Sequence, residues 1–223
     1  FCVSAPGSAG MESCFVNLLE PGDKAIICVN GVFGTRMIEN VIRCGAEAVR
    51  VDDAWGTPVS PDKLEAALKA NPDAKLVAFV HAETSTGVQS DAKTLCQLAK
   101  QYDCLSIVDC VTSLGGIAIE LDAWQADAAY SGSQKCLSCS PGLSPVSFSE
   151  LAAKTIRERK TPVQSWFLDL NLLMGYWGEG AKRAYHHTAP INALYGLHEA
   201  LLMLKQEGLE TSFARHTAMH NKL

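Results

Sequence analysis

Three short stretches of this sequence carry side chains able to do covalent or ionic chemistry. In "YSGSQKCLSCSPG", residues 130–142, Lys135 stands among serines, glycines and cysteines, and no acidic residue falls between Asp127 and Glu150. A lysine near apolar or cationic groups loses proton affinity and becomes a nucleophilic amine able to form a Schiff base. In a loop of small residues it is otherwise a solvated charge. In "SIVDCV" Asp109 interrupts an apolar run. An ionised carboxylate there is costly unless a cation, or backbone donors at a strand end, meet it. In "APGSAGME" Gly7 and Ser8 open a helical pattern. Such a start presents unpaired N–H groups and a positive dipole end to a phosphate, although an ordinary capped loop reads the same way. Neither G-K-[ST] nor the G-x-G-x-x-G spacing is present, which excludes a P-loop and a dinucleotide fingerprint.

The elements that must hold these residues follow from hydrophobic period. "KAIICVN" (24–30), "EAVRVDD" (47–53), "KLVAFVHAE" (75–83), "CLSIVDCV" (104–111) and "DAAYSG" (127–132) read as strands, and "FCV" as the end of another. Helical patterns separate them: one from about Thr35 to Cys44, one capped by Ser60-Pro61, and "DAKTLCQLAKQY", where Leu95, Leu98, Ala99 and Tyr102 share a face. After Pro162 the pattern turns helical, with Ile191, Leu194, Leu197, Leu201 and Leu204 as an apolar stripe and Gly208 where a C-cap belongs. Alternating strand and helix predicts an α/β fold, a mostly parallel central sheet flanked by helices. Ligands of such sheets bind beyond the carboxyl ends of the strands. There the chain places "SAPGSAGME", "NGVFG", "HAETSTG", Asp109 with "CVTS", and "SGSQK".

Taken together, a phosphate-binding helix start, an aromatic for stacking (Phe33), a carboxylate for a ring nitrogen and a Schiff-base lysine describe pyridoxal 5′-phosphate (PLP).

Composition narrows the classes further. The chain has 223 residues, 48% hydrophobic and 19% charged, enough for a sizeable core in one large domain. A net charge of −5 and no basic stripe argue against nucleic-acid binding. Nine scattered cysteines without framework spacing suggest free thiols in a reducing compartment. Cys136 and Cys139 form a lone C-x-x-C without the second pair a zinc site needs. His186 and His187, if on a strand, point to opposite faces, so no metal is expected there and the pair is read as structural. No run approaches the ~18 apolar residues of a membrane span. A first residue of Phe1 suggests a piece of a longer protein. The expected location is cytoplasmic, with any targeting signal outside the piece.

The segments "YSGSQKCLSCSPGLSPVSFS", "HAETSTG", "IVDCVTSLGG", "NGVFGTR" and "YHHTAP" closely resemble class V (fold-type I) aminotransferases of the alanine–glyoxylate / serine–pyruvate branch, in order and over essentially the whole chain. The resemblance implies that residues 1–223 are the large PLP-binding domain. About 1–160 would form the α/β sheet core, and about 161–223 a helical segment leading towards a missing small C-terminal domain. It implies that Lys135 is the Schiff-base lysine and proton-shift base, and that Asp109 holds the pyridinium N–H. Gly7 and Ser8 would hold the phosphate, Phe33 would stack on the ring, and Thr84, Val111 and Gln134 would make further contacts. Tyr185 and Thr188 would reach the phosphate of a neighbouring subunit, implying a homodimer with shared sites.

The implied activity moves an amino group from alanine or serine to a 2-oxo acid such as glyoxylate or pyruvate. Two departures stand out: Ser8 falls where animal members often carry histidine, and Phe33 where the family often carries tryptophan. The family's carboxylate-binding arginine belongs to the C-terminal domain and has no match here, so the piece alone is expected to be impaired. Two rival readings are a sulfur-transfer lyase of the cysteine desulfurase type and an inactive homologue kept as an interaction protein.

Overall fold

The structure is a computed structural model describing residues 1–177 and 184–222. The expected helical segment 161–223 therefore includes residues 178–183 and 223, which lie outside the described ones. The first half comprises β1 (Cys2–Val3), α1 (Gly7–Leu18), β2 (Lys24–Val29), α2 (Val32–Arg43), β3 (Glu47–Asp52), α3 (Pro61–Ala70), β4 (Leu76–Val80), β5 (Ala82–Glu83) and β6 (Val88–Gln89). There follow α4 (Ala92–Gln101), β7 (Leu105–Asp109), α5 (Leu121–Trp124), β8 (Ala128–Tyr130), β9 (Ser144–Phe148), α6 (Glu150–Arg157), α7 (Leu170–Trp177), α8 (Ile191–Glu207) and α9 (Leu209–His220).

Seven strands form one sheet in the order β1-β9-β8-β7-β4-β2-β3. From β8 to β3 every neighbour is parallel, while β9 runs antiparallel to β8 and to β1. Both faces are covered, and strict alternation shows it. Ala25, Ile27 and Val29 of β2 join the layer containing Phe15 of α1 and Met37 of α2, whereas Ile26 and Cys28 join the layer of Leu64 and Leu95. β4 repeats the pattern, with Leu76, Ala78 and Val80 on the first side and Val77 and Phe79 on the second. The chain reverses direction across the sheet at β2, whose neighbours are β3 on one side and β4 on the other. The crevice outside the carboxyl ends of β2 and β4 is thus where a ligand of this fold belongs.

Local signals account for several boundaries. Ser60 caps α3, its hydroxyl accepting from the Lys63 N–H at 3.4 Å with Pro61 in the first turn. Gly208 ends α8 at φ 86°, a left-handed conformation that glycine tolerates without strain.

Elsewhere tertiary contacts overrule the local pattern. α2 begins at Val32 rather than Thr35, because a side chain fifty residues away caps it. β9 was hidden by Pro145, which is tolerated because its outer neighbour β1 is only two residues long. Residues 161–169 are not helical. Buried Asn17 holds them, its Nδ2 donating to Leu168 O at 2.7 Å and its Oδ1 accepting from Leu170 N at 2.9 Å. The α8 stripe is only partly used: Leu197 is buried against Leu137 and Leu143, while Ile191 and Leu201 are exposed.

Candidate active site

Asp109 is the last residue of β7, and its side chain is buried. Its Oδ1 accepts from the Val111 N–H at 2.9 Å and its Oδ2 from the Tyr130 hydroxyl at 2.6 Å. Burial pushes its pKa up to about 6 and the nearby Glu83 adds to the rise, while the bonds from Tyr130 and Val111 oppose it. Among the described residues no cation pairs with it. Asp109 is therefore a carboxylate with an unmet demand for positive charge.

Helix α1 starts beside this strand end. No side chain caps it, its first turn carries no acid, and Ala9 N–H bonds to Pro6 O. Among the described residues, the Gly7 and Ser8 N–H groups have no protein partner. Gly7 packs so closely that a Cβ would lie 3.3 Å from Val111 Cγ2, 3.4 Å from Ser131 O and 3.5 Å from Gly132 Cα. This contact joins the helix start, the residue two beyond Asp109 and the segment that leads to Lys135. Ser8 is exposed and lines an open groove with Arg36 and Asn40.

The loop after β8 is held by its own backbone. Ser133 N–H bonds to Leu143 O at 3.0 Å, Ser133 Oγ to Ser140 O at 2.6 Å, and Ser138 N–H to Lys135 O at 2.9 Å. Lys135 and Gln134 are exposed, and among the described residues Lys135 takes part in no ion pair. Cys136 binds Thr112 O at 3.3 Å, which ties the lysine's neighbour to the loop beyond Asp109. Thr112 in turn bonds to Ala82 O at 2.6 Å and sits 3.4 Å from the hydroxyl of Thr84. All nine cysteines are free, and among the described residues no cluster of His, Cys, Asp and Glu suits a metal.

Phe33 is half-buried in the first turn of α2, with the Arg36 guanidinium 4.8 Å from its ring centroid. Its position depends on a residue the sequence reading passed over. Glu83, 1% exposed, accepts from the Phe33 N–H at 3.2 Å, the Ser85 N–H at 3.0 Å and the Ser85 hydroxyl at 2.7 Å. Ser85 Oγ accepts from Val32 N–H at 3.0 Å. The pair caps α2 from the β4 side of the crevice. Gly31 precedes the helix because a Cβ there would run into the Glu83 side chain. Tyr130 was missed as well. Its signal lies in strand pairing, since Tyr130 is the in-register partner of Asp109.

Tyr185 and Thr188 are exposed and bond to each other at 2.9 Å, not to the residues above. Between them the two histidines depart from the expected geometry. The segment is not a strand, and His186 Nδ1 and His187 Nδ1 meet at 2.8 Å with their rings at 88°. Among the described residues no helix is long and apolar enough to cross a membrane.

Comparison with known proteins gives the family and the fold. The family model described as "Aminotransferase class-V" matches residues 7–223. An alanine–glyoxylate aminotransferase of Drosophila melanogaster is 39% identical over 224 residues, covering 100% of this chain and 57% of its own. The crystal structure of an alanine–glyoxylate aminotransferase from Nostoc sp. superposes with a TM-score of 0.93 at 45% identity, over 97% of this chain and 56% of that one. The ureidoglycine–glyoxylate aminotransferase of Bacillus subtilis gives 0.93 at 36% identity, over 97% and 55%. The chain spans about half the length of the curated relatives it matches.

Proposed function

This chain belongs to the class-V aminotransferases, and from that premise we propose that the protein carrying it moves an amino group from a small amino acid, alanine or serine, to a 2-oxo acid such as glyoxylate or pyruvate. The family works on PLP, and the residues present fit that group. Among the described residues, the uncapped helix start offers free N–H groups for the phosphate, and the buried carboxylate, unpaired by any cation, offers an acceptor for the ring N–H. When bound, PLP supplies an electron sink for the charge that develops at the substrate Cα.

The chain's own residues divide the work. Gly7 and Ser8 N–H groups hold the phosphate at the positive end of α1. Asp109 would keep the ring nitrogen protonated, and Tyr130 and the Val111 N–H fix its carboxylate so that it need not reorient during reaction. Phe33, held by Glu83, would stack against the ring, and Val111 would contact it. Thr84 and Gln134 supply further polar contacts. Lys135 Nζ would be the group that holds the cofactor covalently, and as a free amine it would serve as the base that moves the substrate Cα proton. Tyr185 and Thr188, pointing outwards, would serve the phosphate of a second copy, making the protein a homodimer with shared sites.

The observation that carries the reading is the packing of Gly7 on Val111, Ser131 and Gly132, which brings the phosphate, ring-nitrogen and lysine segments to one point. A panel of amino donors and oxo acids, run on the intact protein with PLP, tests it. Alanine or serine with glyoxylate or pyruvate should give turnover well above other pairs. No transamination with any of them would refute the assignment.

A further inference from the structure

We infer that His187 and Ser4 form a positioning relay that locks the arm bearing Tyr185 and Thr188 onto the phosphate-binding start of α1; the inference rests on the PLP reading above. Ser4 lies on the short connection between Val3, which is buried in the core, and Gly7, which packs on Val111. His187 Nε2 sits 2.7 Å from Ser4 Oγ, a bond spanning 183 residues of chain. On its other side His187 Nδ1 meets His186 Nδ1 at 2.8 Å, and His186 Nε2 lies 3.4 Å from Trp166 O.

The far end of this series sets its polarity. A backbone carbonyl only accepts, so His186 Nε2 carries the proton that faces Trp166, and neutral His186 then accepts at Nδ1. His187 must donate from Nδ1, which leaves its Nε2 as an acceptor for the Ser4 hydroxyl. Burial holds the His187 pKa below the ordinary imidazole range, which favours its neutral form near neutral pH. The ring of His186 is itself clamped, stacked on Trp166 at 4.3 Å and 6°. The relay thus has a single direction of donation, from the Ser4 hydroxyl through His187 and His186 to a fixed acceptor at Trp166 O.

The arm has two sides as a result. Tyr185 and Thr188 bond to each other and stand exposed, while the two histidines between them face inwards. Fixing His187 to Ser4 therefore fixes the outward pair relative to the helix start of the same chain. His187 and Ser4 touch neither substrate nor ring in this account. They set where the phosphate-binding N–H groups and the outward hydroxyls stand, so their loss should be felt by the phosphate alone.

The test is equilibrium binding of PLP and of pyridoxal, which lacks the phosphate, to the intact apo-protein. Loss of one such bond is expected to weaken PLP about tenfold in His187→Ala and in Ser4→Ala, with pyridoxal unchanged. His187→Gln, whose amide oxygen can stand in for Nε2 as acceptor, should recover most of the loss. Should His187→Ala fail to fold, Ser4→Ala removes one hydroxyl only and carries the same comparison. Equal weakening of both ligands, or no change in either while the wild type binds, overturns the relay. A wild type that binds neither ligand overturns the PLP reading itself.

Discussion

The Tyr130 hydroxyl reaches Asp109 Oδ2 at 2.6 Å between two parallel strands in which these residues are register partners. Tyr130 is buried and its own pKa is pushed upward, by burial first and then by Asp109, so it remains a proton donor at any ordinary pH. Removing that donor should release Asp109 upward from its already raised value. Tyr130→Phe is expected to cost about 1.5–3 kcal/mol of stability, the range for a hydrogen bond to a charged group. Chemical denaturation of the apo-protein at pH 8 would read it, and a change below about 0.5 kcal/mol would contradict it.

Asp109 also makes the apo-protein's stability depend on pH. Its pKa is raised in the fold, from 3.8 to about 6, so the folded state binds more protons than the unfolded state between those values. This group's contribution is therefore greatest below the unfolded pKa and falls as pH climbs through about 4 to 6, by on the order of 3 kcal/mol. Asp109→Asn should remove that part of the profile. Apo unfolding free energies measured from pH 4 to pH 7 for both proteins give the comparison, and parallel curves would refute it.

The Glu83 cap predicts a coupling between the "HAETSTG" loop and the first turn of α2. Glu83→Ala leaves the Phe33 N–H and both Ser85 donors without their acceptor, an expected loss of about 2–4 kcal/mol. Gly31→Ala, which forces a methyl group into the same carboxylate, should cost about 1–3 kcal/mol through the same contact. A double-mutant cycle should then show that the two losses do not add. Strict additivity would mean that Gly31 and Glu83 do not meet as described.

What could be read in advance follows physical range. β2, β4, β7 and β8 were legible because strands buried on both faces are continuous apolar runs, and "AIICV" or "LVAFV" has no other reading once helical patterns lie between them, whereas the edge strand β3, with only Val51 buried, was legible from its β-branched residues. The α3 start was legible because Ser60 and Pro61 act within one turn. Glu83 was not, since its role depends on residues fifty positions earlier, and Tyr130 became visible only once its strand was paired with Asp109. The geometry of the histidine pair, though not its reading as structural, was misjudged for a similar reason. Alternation on a strand was the wrong frame for a segment that Trp166 and Ser4 hold in an irregular conformation. Of the candidate chemistry, Lys135 and Asp109 stood out by type and neighbourhood as the residues to test, while the residues that orient Asp109 and Phe33 did not.

Lys135 remains the residue on which the whole account turns. The intact protein should be loaded with PLP, reduced with borohydride and mapped by peptide mass spectrometry. The account predicts one pyridoxyl group, on Lys135, and none in Lys135→Ala. A label on any other lysine, or no label at all in the wild type, would contradict it.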